Sequence, residues 1–234
     1  MKKLILTLIA AAMILCGCNN TKRFKVNLNL DNADGQIIYL HKDLGMVEMC
    51  VDSAVFDGNT AVLKADFDDP QTKYILKYDK YDQCGVFTFL PENCDITITG
   101  DFNDIISWQA EGSPAMEILN AFHKKLKPYA DAVMTIVPDM EAAYAENDTV
   151  RGHELYWKAI ACMDEYNNRR LDFIRNHPDC YVAHYLLDEA KINYDSEVLK
   201  EVVGTFTVES IYKKNIENYL KEIEEYDMPM QIVE

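Results

Sequence analysis

The stretch Glu111-Gly112-Ser113-Pro114 divides the chain into two parts of different character, and this division decides the predicted fold. Ser113 suits the N-cap of a helix, and Pro114 suits its first position because a proline there loses no hydrogen bond. Before this point apolar residues alternate along short runs; after it they recur every three or four positions. We therefore predict an α+β protein, with a β-rich domain over residues 23–112 and a helical region over residues 113–234.

The β-rich part shows the period of two that is typical of half-buried strands. Apolar and polar residues alternate over residues 24–30. Asp57-Gly58-Asn59 predicts a hairpin, since Gly and Asn tolerate positive φ. Pro91-Glu92-Asn93 predicts a second hairpin, between strands at residues 86–90 and 95–99. Seven or eight short strands at this spacing predict an antiparallel sandwich or a barrel-like domain.

The helical part is predicted to contain several amphipathic helices. Pro128 and Pro138 are expected to kink or end the first of them. We expect Thr207 to cap the last helix, which runs to about Glu225. The other expected helices cover residues 151–176, 178–190 and 195–204.

The first eighteen residues have the layout of a bacterial lipoprotein signal. Lys2 and Lys3 precede an apolar run that is too short to span a bilayer, and Leu15-Cys16-Gly17-Cys18 closes it. We predict that residues 1–17 are removed, that Cys18 is lipidated, and that residues 18–22 form a tether. An ordinary secretory signal or a short membrane anchor is the alternative. The predicted location is the periplasmic side of the cell envelope, and Asn19 favours the outer over the inner membrane.

The charge balance excludes two classes of partner. The chain carries 23 Lys and Arg against 39 Asp and Glu, a formal net charge of −16. Such a chain repels phosphate backbones and anionic lipid headgroups, which argues against nucleic-acid binding. Contact with the membrane is therefore expected only through the N-terminal lipid.

No catalytic, metal-binding or cofactor-binding motif stands out. His153-Glu154 begins like a zinc-protease helix, but Trp157 occupies the position of the second ligand. His184 and Asp188 lie one helical turn apart, beyond His177. For these three we favour a helix cap and a surface His–Asp pair over a metal site. A hydrolase site assembled from scattered residues, with a His such as His184 beside a carboxylate, is the competing hypothesis.

Five cysteines would remain after signal removal and lipidation: Cys50, Cys84, Cys94, Cys162 and Cys180. If residues 85–99 form a tight hairpin, Cys84 and Cys94 lie roughly 20 Å apart along it. A disulfide needs Cα atoms within about 7 Å, so this pair is not expected to be linked. Most of the five are expected to be small buried residues.

Aromatic residues cluster on two consecutive predicted strands and the loop between them, at Tyr74, Tyr78, Tyr81, Phe87 and Phe89. They favour packing within the sheet domain. The alternative is an exposed aromatic face that binds a glycan or another small ligand.

Several segments carry a resemblance to a known class of envelope proteins: Asp52-Ser53-Ala54, Phe87-Thr88-Phe89-Leu90-Pro91-Glu92-Asn93, Ile96-Thr97-Ile98-Thr99-Gly100-Asp101, Glu111-Gly112-Ser113, and Phe173-Ile174 through Tyr185-Leu186-Leu187. With them the chain resembles thioredoxin-like thiol–disulfide oxidoreductase lipoproteins of Gram-negative envelopes. Those proteins carry a β-rich domain of unknown function and a helical spacer ahead of the catalytic domain.

The resemblance implies a stand-alone accessory region, because the chain stops at Glu234 where the catalytic domain would follow. No catalytic residue can be carried over. The expected function is a non-catalytic interaction or binding module, with a separately encoded thioredoxin-like oxidoreductase as its expected envelope partner. A truncated relic of a longer gene is the alternative.

Overall fold

The protein is described by a computed structural model that covers residues 23–45, 47–67, 69, 71–80 and 83–227. The predicted signal peptide, the lipidation site Cys18, the tether and Tyr81 lie outside the described residues. The chain divides into two compact units between Ser113 and Pro114.

Eight strands form the first unit: β1 (Arg23–Asp31), β2 (Ile37–Asp43), β3 (Glu48–Val55), β4 (Thr60–Asp66), β5 (Tyr74–Lys80), β6 (Gln83–Phe89), β7 (Ile96–Asp101) and β8 (Asp104–Glu111). They make two four-stranded sheets. The first sheet has the order β4-β1-β7-β8 and the second β3-β2-β5-β6. β1 and β7 run parallel, whereas the other pairs are antiparallel. The predicted α+β fold with N-terminal strands is confirmed.

The core lies between the two sheets. Alternate residues of β1 point inward and are buried, as the period of two predicts. Phe24 of the first sheet meets Tyr74 of the second edge-to-face, with ring centroids 4.9 Å apart. The Tyr78 ring lies 5.7 Å from that of Trp108 in β8, and the Trp108 indole N–H donates to the Asp101 carbonyl at 2.7 Å. The ring contacts of Phe24 with Tyr74 and of Tyr78 with Trp108 cross between the two layers and make the unit a β-sandwich.

The predicted hairpin around Pro91-Glu92-Asn93 is wrong. β6 pairs with β5 in the second sheet, whereas β7 lies between β1 and β8 in the first. The turn therefore carries the chain from one sheet to the other, and Glu92 and Asn93 adopt φ values of 48° and 64° to make it. Both strands bury apolar side chains in the core, Phe89 from β6 and Ile96 and Ile98 from β7, so the two strands face that core from opposite sheets.

Five α-helices and one 3₁₀ turn make up the described part of the second unit: α1 (Pro114–Ala145), α2 (Thr149–Asn176), α3 (Tyr181–Ala190), the 3₁₀ turn (Lys191–Asn193), α4 (Ser196–Gly204) and α5 (Ile211–Asp227). None of the helices in the described ranges has a stretch long and apolar enough to cross a lipid bilayer.

The expectation that Pro128 or Pro138 ends the first helix is wrong. α1 continues through Pro128 and Pro138, and both prolines are exposed. A proline inside a helix removes one backbone hydrogen bond. Here α1 packs against α2, so tertiary packing holds the helix together despite that loss.

The last helix begins later than expected. α5 starts at Ile211, and Ser210 caps it: the Ser210 hydroxyl accepts a hydrogen bond from the Lys213 backbone N–H at 3.0 Å. Thr207 is therefore not the cap. The Asp148 carboxylate caps α2 in the same way, accepting from the Arg151 N–H at 3.1 Å.

Candidate functional site

The edge strands β3 and β4 diverge from a shared turn at one side of the sandwich. Asp57 and Thr60 pair across the two-residue turn Gly58-Asn59, as the sequence predicts for a hairpin. Beyond the turn, β3 joins β2 in the second sheet and β4 joins β1 in the first. The two strands thus form the neighbouring edges of opposite sheets.

The Asp52 carboxylate joins these edges where they begin to diverge. Asp52 stands opposite Leu40, a core residue, so it lies on the inner face of the second sheet. One carboxylate oxygen accepts from the Lys64 backbone N–H of β4 at 2.7 Å, and the other accepts from the Ser53 N–H at 2.9 Å. Because the bond to Lys64 occupies an edge N–H, Asp52 also protects β4 from pairing with another strand.

A cleft of about 600 Å³ opens beside the Asp52 bridge. Its size lies in the range of small-ligand sites. The cleft is lined by Arg23, Lys42, Met49, Cys50, Val51, Asp52, Lys64, Ala65, Asp66 and Tyr74.

The lining of the cleft carries more positive than negative groups. Of its two carboxylates, Asp52 is held by backbone N–H groups, and Asp66 accepts from the Arg23 guanidinium at 2.7 Å. The Lys64 ammonium forms no ion pair among the residues that the structure describes. The lining thus holds three basic side chains against two acidic ones, whereas the whole chain carries a net charge of −16.

The imidazole of His184 lies in the interior of the helical unit rather than at a surface site. Its exposed fraction is 0%, and its ring stacks on Phe206 with centroids 3.6 Å apart. Nε2 lies 3.0 Å from the Pro178 carbonyl, which can only accept, so Nε2 carries the proton. Nδ1 then accepts from the Ser210 hydroxyl at 2.8 Å. Burial lowers the pKa of His184, in agreement with a neutral ring.

The expected surface pair of His184 and Asp188 is therefore wrong. Asp188 is only 8% exposed and accepts from the Lys191 ammonium at 2.8 Å and the Asn215 amide at 3.1 Å. Both ring nitrogens of His184 are engaged, and His177 Nδ1 lies 2.7 Å from the Phe173 carbonyl. No group of three potential metal ligands occurs among the described residues.

The contacts of His184 are those of a residue that joins helices. Ser210, its hydrogen-bonding partner, is also buried and caps α5. A Ser–His pair can supply a nucleophile and its base, but both groups must reach a substrate to do so. At this site the pair packs α3 against the start of α5.

The hypothesis of an exposed aromatic face is wrong for the described residues. Tyr74, Tyr78 and Phe89 point into the core between the sheets. Phe87 is half-buried, and its ring lies 5.6 Å from Trp108. The aromatic cluster therefore stabilises the sandwich, which is the alternative that the sequence favoured.

The cysteines form no reactive pair that the structure describes. Cys50, Cys94, Cys162 and Cys180 are free, and the side chain of Cys84 lies outside the described residues. Cys50 is exposed rather than buried and borders the cleft. Cys94, Cys162 and Cys180 are half-buried, so the expectation that most of the five cysteines are small buried residues is wrong for the four whose side chains are described.

Sequence reasoning did not identify the cleft. Asp52 falls within a predicted strand, and a carboxylate that points inward from a strand is unusual. This residue was the one local signal of the cleft. The positions of Lys42 and Lys64 relative to it depend on which sheet each strand joins.

These features define the chain as an α+β protein with an N-terminal β-sandwich. Residues 24–119 match the family model described as "Domain of unknown function (DUF4369)". A search of curated proteins gave no match, and neither did a search of solved structures.

Proposed function

We propose that the protein is a lipid-anchored binding protein of the bacterial cell envelope, without catalytic activity, and that it holds its ligand in the β3–β4 cleft. The observation that carries the proposal is a cleft of about 600 Å³ with a positive balance of charge on a strongly acidic chain. A site whose charge opposes that of its surroundings selects a ligand of the complementary sign.

The ligand class that fits the cleft is an extended, acidic polypeptide segment. β3 is an edge strand, so backbone groups along one of its sides have no partner strand in the sheet. An added strand would pair with this edge. Its acidic side chains would meet Arg23 and Lys64, and its apolar ones would meet Met49 and Val51.

Two labelled peptides test this proposal. One alternates Val and Glu over about seven residues, a usual strand length, and the other alternates Val and Lys. We expect the acidic peptide to bind with a Kd on the order of 10 µM and at least about tenfold more tightly than the basic one, by fluorescence anisotropy. The comparison is stringent because the overall charge of −16 favours the basic peptide.

Matched variants locate the binding. Lys64→Glu should raise the Kd of the acidic peptide by about tenfold or more. Lys158→Glu is the same change at an exposed position of α2, and it should leave this Kd unchanged. Hydrogen exchange at residues 49–51 should slow when the peptide binds. Equal binding of both peptides, or unchanged exchange in β3, would contradict the proposal; circular dichroism confirms that both variants fold.

The resemblance to thioredoxin-like lipoproteins supports a further part of the proposal, which is the partner. We propose that an envelope thiol–disulfide oxidoreductase works beside this protein. Proximity labelling in cells, from a biotin ligase fused to the chain, is expected to recover such an enzyme. If repeated labelling experiments do not recover such an enzyme, this part of the proposal is refuted. The proposed binding of a ligand in the cleft would not be affected.

A further inference from the structure

The distal parts of α1 and α2, residues 131–168, form a helical hairpin that we call the arm. The two helices run antiparallel from the turn at Asn147, which adopts a φ of 61°. At the tip they approach closely, because a Cβ on Gly152 would lie 2.6 Å from the Tyr144 ring. In the arm only Ala143, Gly152 and Ala159 are buried.

The arm buries small residues and exposes large apolar ones, which is the opposite of a hydrophobic core. Its three buried residues are all small, while its large apolar residues remain half or fully exposed. The exposed ones are Met134, Tyr144, Val150, Tyr156, Trp157 and Met163. Two helices alone form a single layer, which cannot cover apolar side chains on both of its faces. The arm therefore keeps an apolar surface in contact with water.

The apolar surface is most continuous on α2. Tyr156, Ile160 and Met163 recur at steps of four and three residues, so they share one side of the helix. Trp157 lies beside them, 66% exposed, with its ring 5.2 Å from that of Tyr156. We call these four residues the α2 stripe.

We infer that the α2 stripe is a docking surface for a basic amphipathic helix of a partner protein. Residues 131–168 carry eight Asp and Glu but only two Lys and Arg, a net charge of −6. Glu154 and Asp164 lie one and two turns from Trp157 on its side of α2, and neither forms an ion pair among the described residues. The apolar side chains of the α2 stripe would pack against the Leu face of such a helix, and the carboxylates near them would pair with Lys residues beside that face.

The same charges argue against the other occupants of such a surface. A second copy would place −6 against −6, and like charges across an interface oppose association. An anionic lipid surface would be repelled for the same reason. A cationic partner is favoured by two contributions, because it would cover the apolar area and neutralise the carboxylates.

Trp157 reports binding directly, because the only other tryptophan, Trp108, is 5% exposed. The probe is a peptide of Leu and Lys, about 18 residues long, with Leu on one helical face. Binding is expected to shift Trp157 emission to shorter wavelength and to protect it from acrylamide quenching. Met163→Glu should raise the Kd of the peptide at least about tenfold. Ile192 is 75% exposed and lies outside the arm, so Ile192→Glu should leave the Kd unchanged.

A scrambled peptide of the same composition separates docking from general attraction to an acidic protein. If it protects Trp157 equally well, or if the Leu-faced peptide leaves Trp157 unprotected, the inference is overturned. A shift in Trp157 emission with protein concentration alone would overturn it too, since the occupant would then be a second copy. These outcomes are independent of the cleft, whose peptide binding depends on Lys64.

Discussion

At the scale of single residues, His184 shows how one side chain can join three segments. Its ring binds the Pro178 carbonyl that follows α2 and the Ser210 hydroxyl that starts α5, while its own backbone belongs to α3. Phe206 stacks on the ring nearly face to face, with an interplanar angle of 13°. A charged imidazole could no longer accept the Ser210 O–H at Nδ1, and its charge would have to be buried without water.

This arrangement predicts that the helical unit loses stability in mild acid. The pKa of His184 lies below the ordinary histidine value of about 6.5, which the unfolded chain restores. Below pH 6.5 the unfolded state therefore binds more protons than the folded state. The free energy of unfolding falls as the pH decreases through 6.5 towards the folded pKa, by at most about 1.4 kcal/mol per pH unit.

Urea denaturation at several pH values, followed by circular dichroism, measures this slope. His184→Gln keeps a hydrogen-bonding side chain but does not titrate, so its profile should be flatter over the same range. Identical profiles for the two proteins would show that His184 does not contribute. Lys213, which also lowers the pKa of His184, stays charged throughout this range.

At the scale of elements, the sequence predicts the strands well but not their partners. Alternation over residues 24–30 predicts both β1 and its buried side, because a strand exposes its two faces with a period of two. Nothing local says that Val26 will pair with Ile96, seventy positions away. The predicted β6–β7 hairpin failed for this reason, and the cleft was missed because it exists only where β3 and β4 join different sheets.

The Asp52 bridge between β3 and β4 predicts a measurable loss when it is removed. Asp52→Ala leaves the Lys64 and Ser53 N–H groups without their acceptor and should lower the free energy of unfolding by about 1–3 kcal/mol. Asp52→Asn keeps an oxygen acceptor and should lose less. Chemical denaturation of the three proteins gives this ranking, and an alanine variant as stable as the parent would refute it.

The same variant should aggregate more readily. With the Lys64 N–H exposed, β4 becomes an open edge that can pair with another chain. Light scattering at equal protein concentration compares Asp52→Ala with the parent. Equal scattering would mean that other features protect this edge.

At the scale of the whole molecule, the acidic charge and the proposed lipid at Cys18 act together. A chain of net charge −16 is repelled by anionic headgroups, so the proposed attachment to the membrane would depend on acyl chains. Each buried CH₂ contributes about 0.8 kcal/mol, and lasting attachment needs more than one chain. Cys18→Ala should therefore move the protein from the membrane fraction to the soluble fraction.

Cys50→Ala is the matched control for that experiment, because Cys50 is an exposed thiol within the described residues. It should leave the protein in the membrane fraction. Fractionation followed by immunoblotting measures both variants. Retention of the Cys18→Ala protein at the membrane would contradict the lipid anchor.

The position of β1 has a consequence for the order in which the protein folds. β1 is synthesised first among the strands, yet it lies inside the first sheet, between β4 and β7. The Val26–Ile96 pairing must close a loop of about seventy residues, and such distant contacts form slowly. The first sheet can therefore be completed only after β7 and β8 have left the ribosome, so β1 has to wait for one of its two neighbouring strands until most of the β-sandwich has been synthesised.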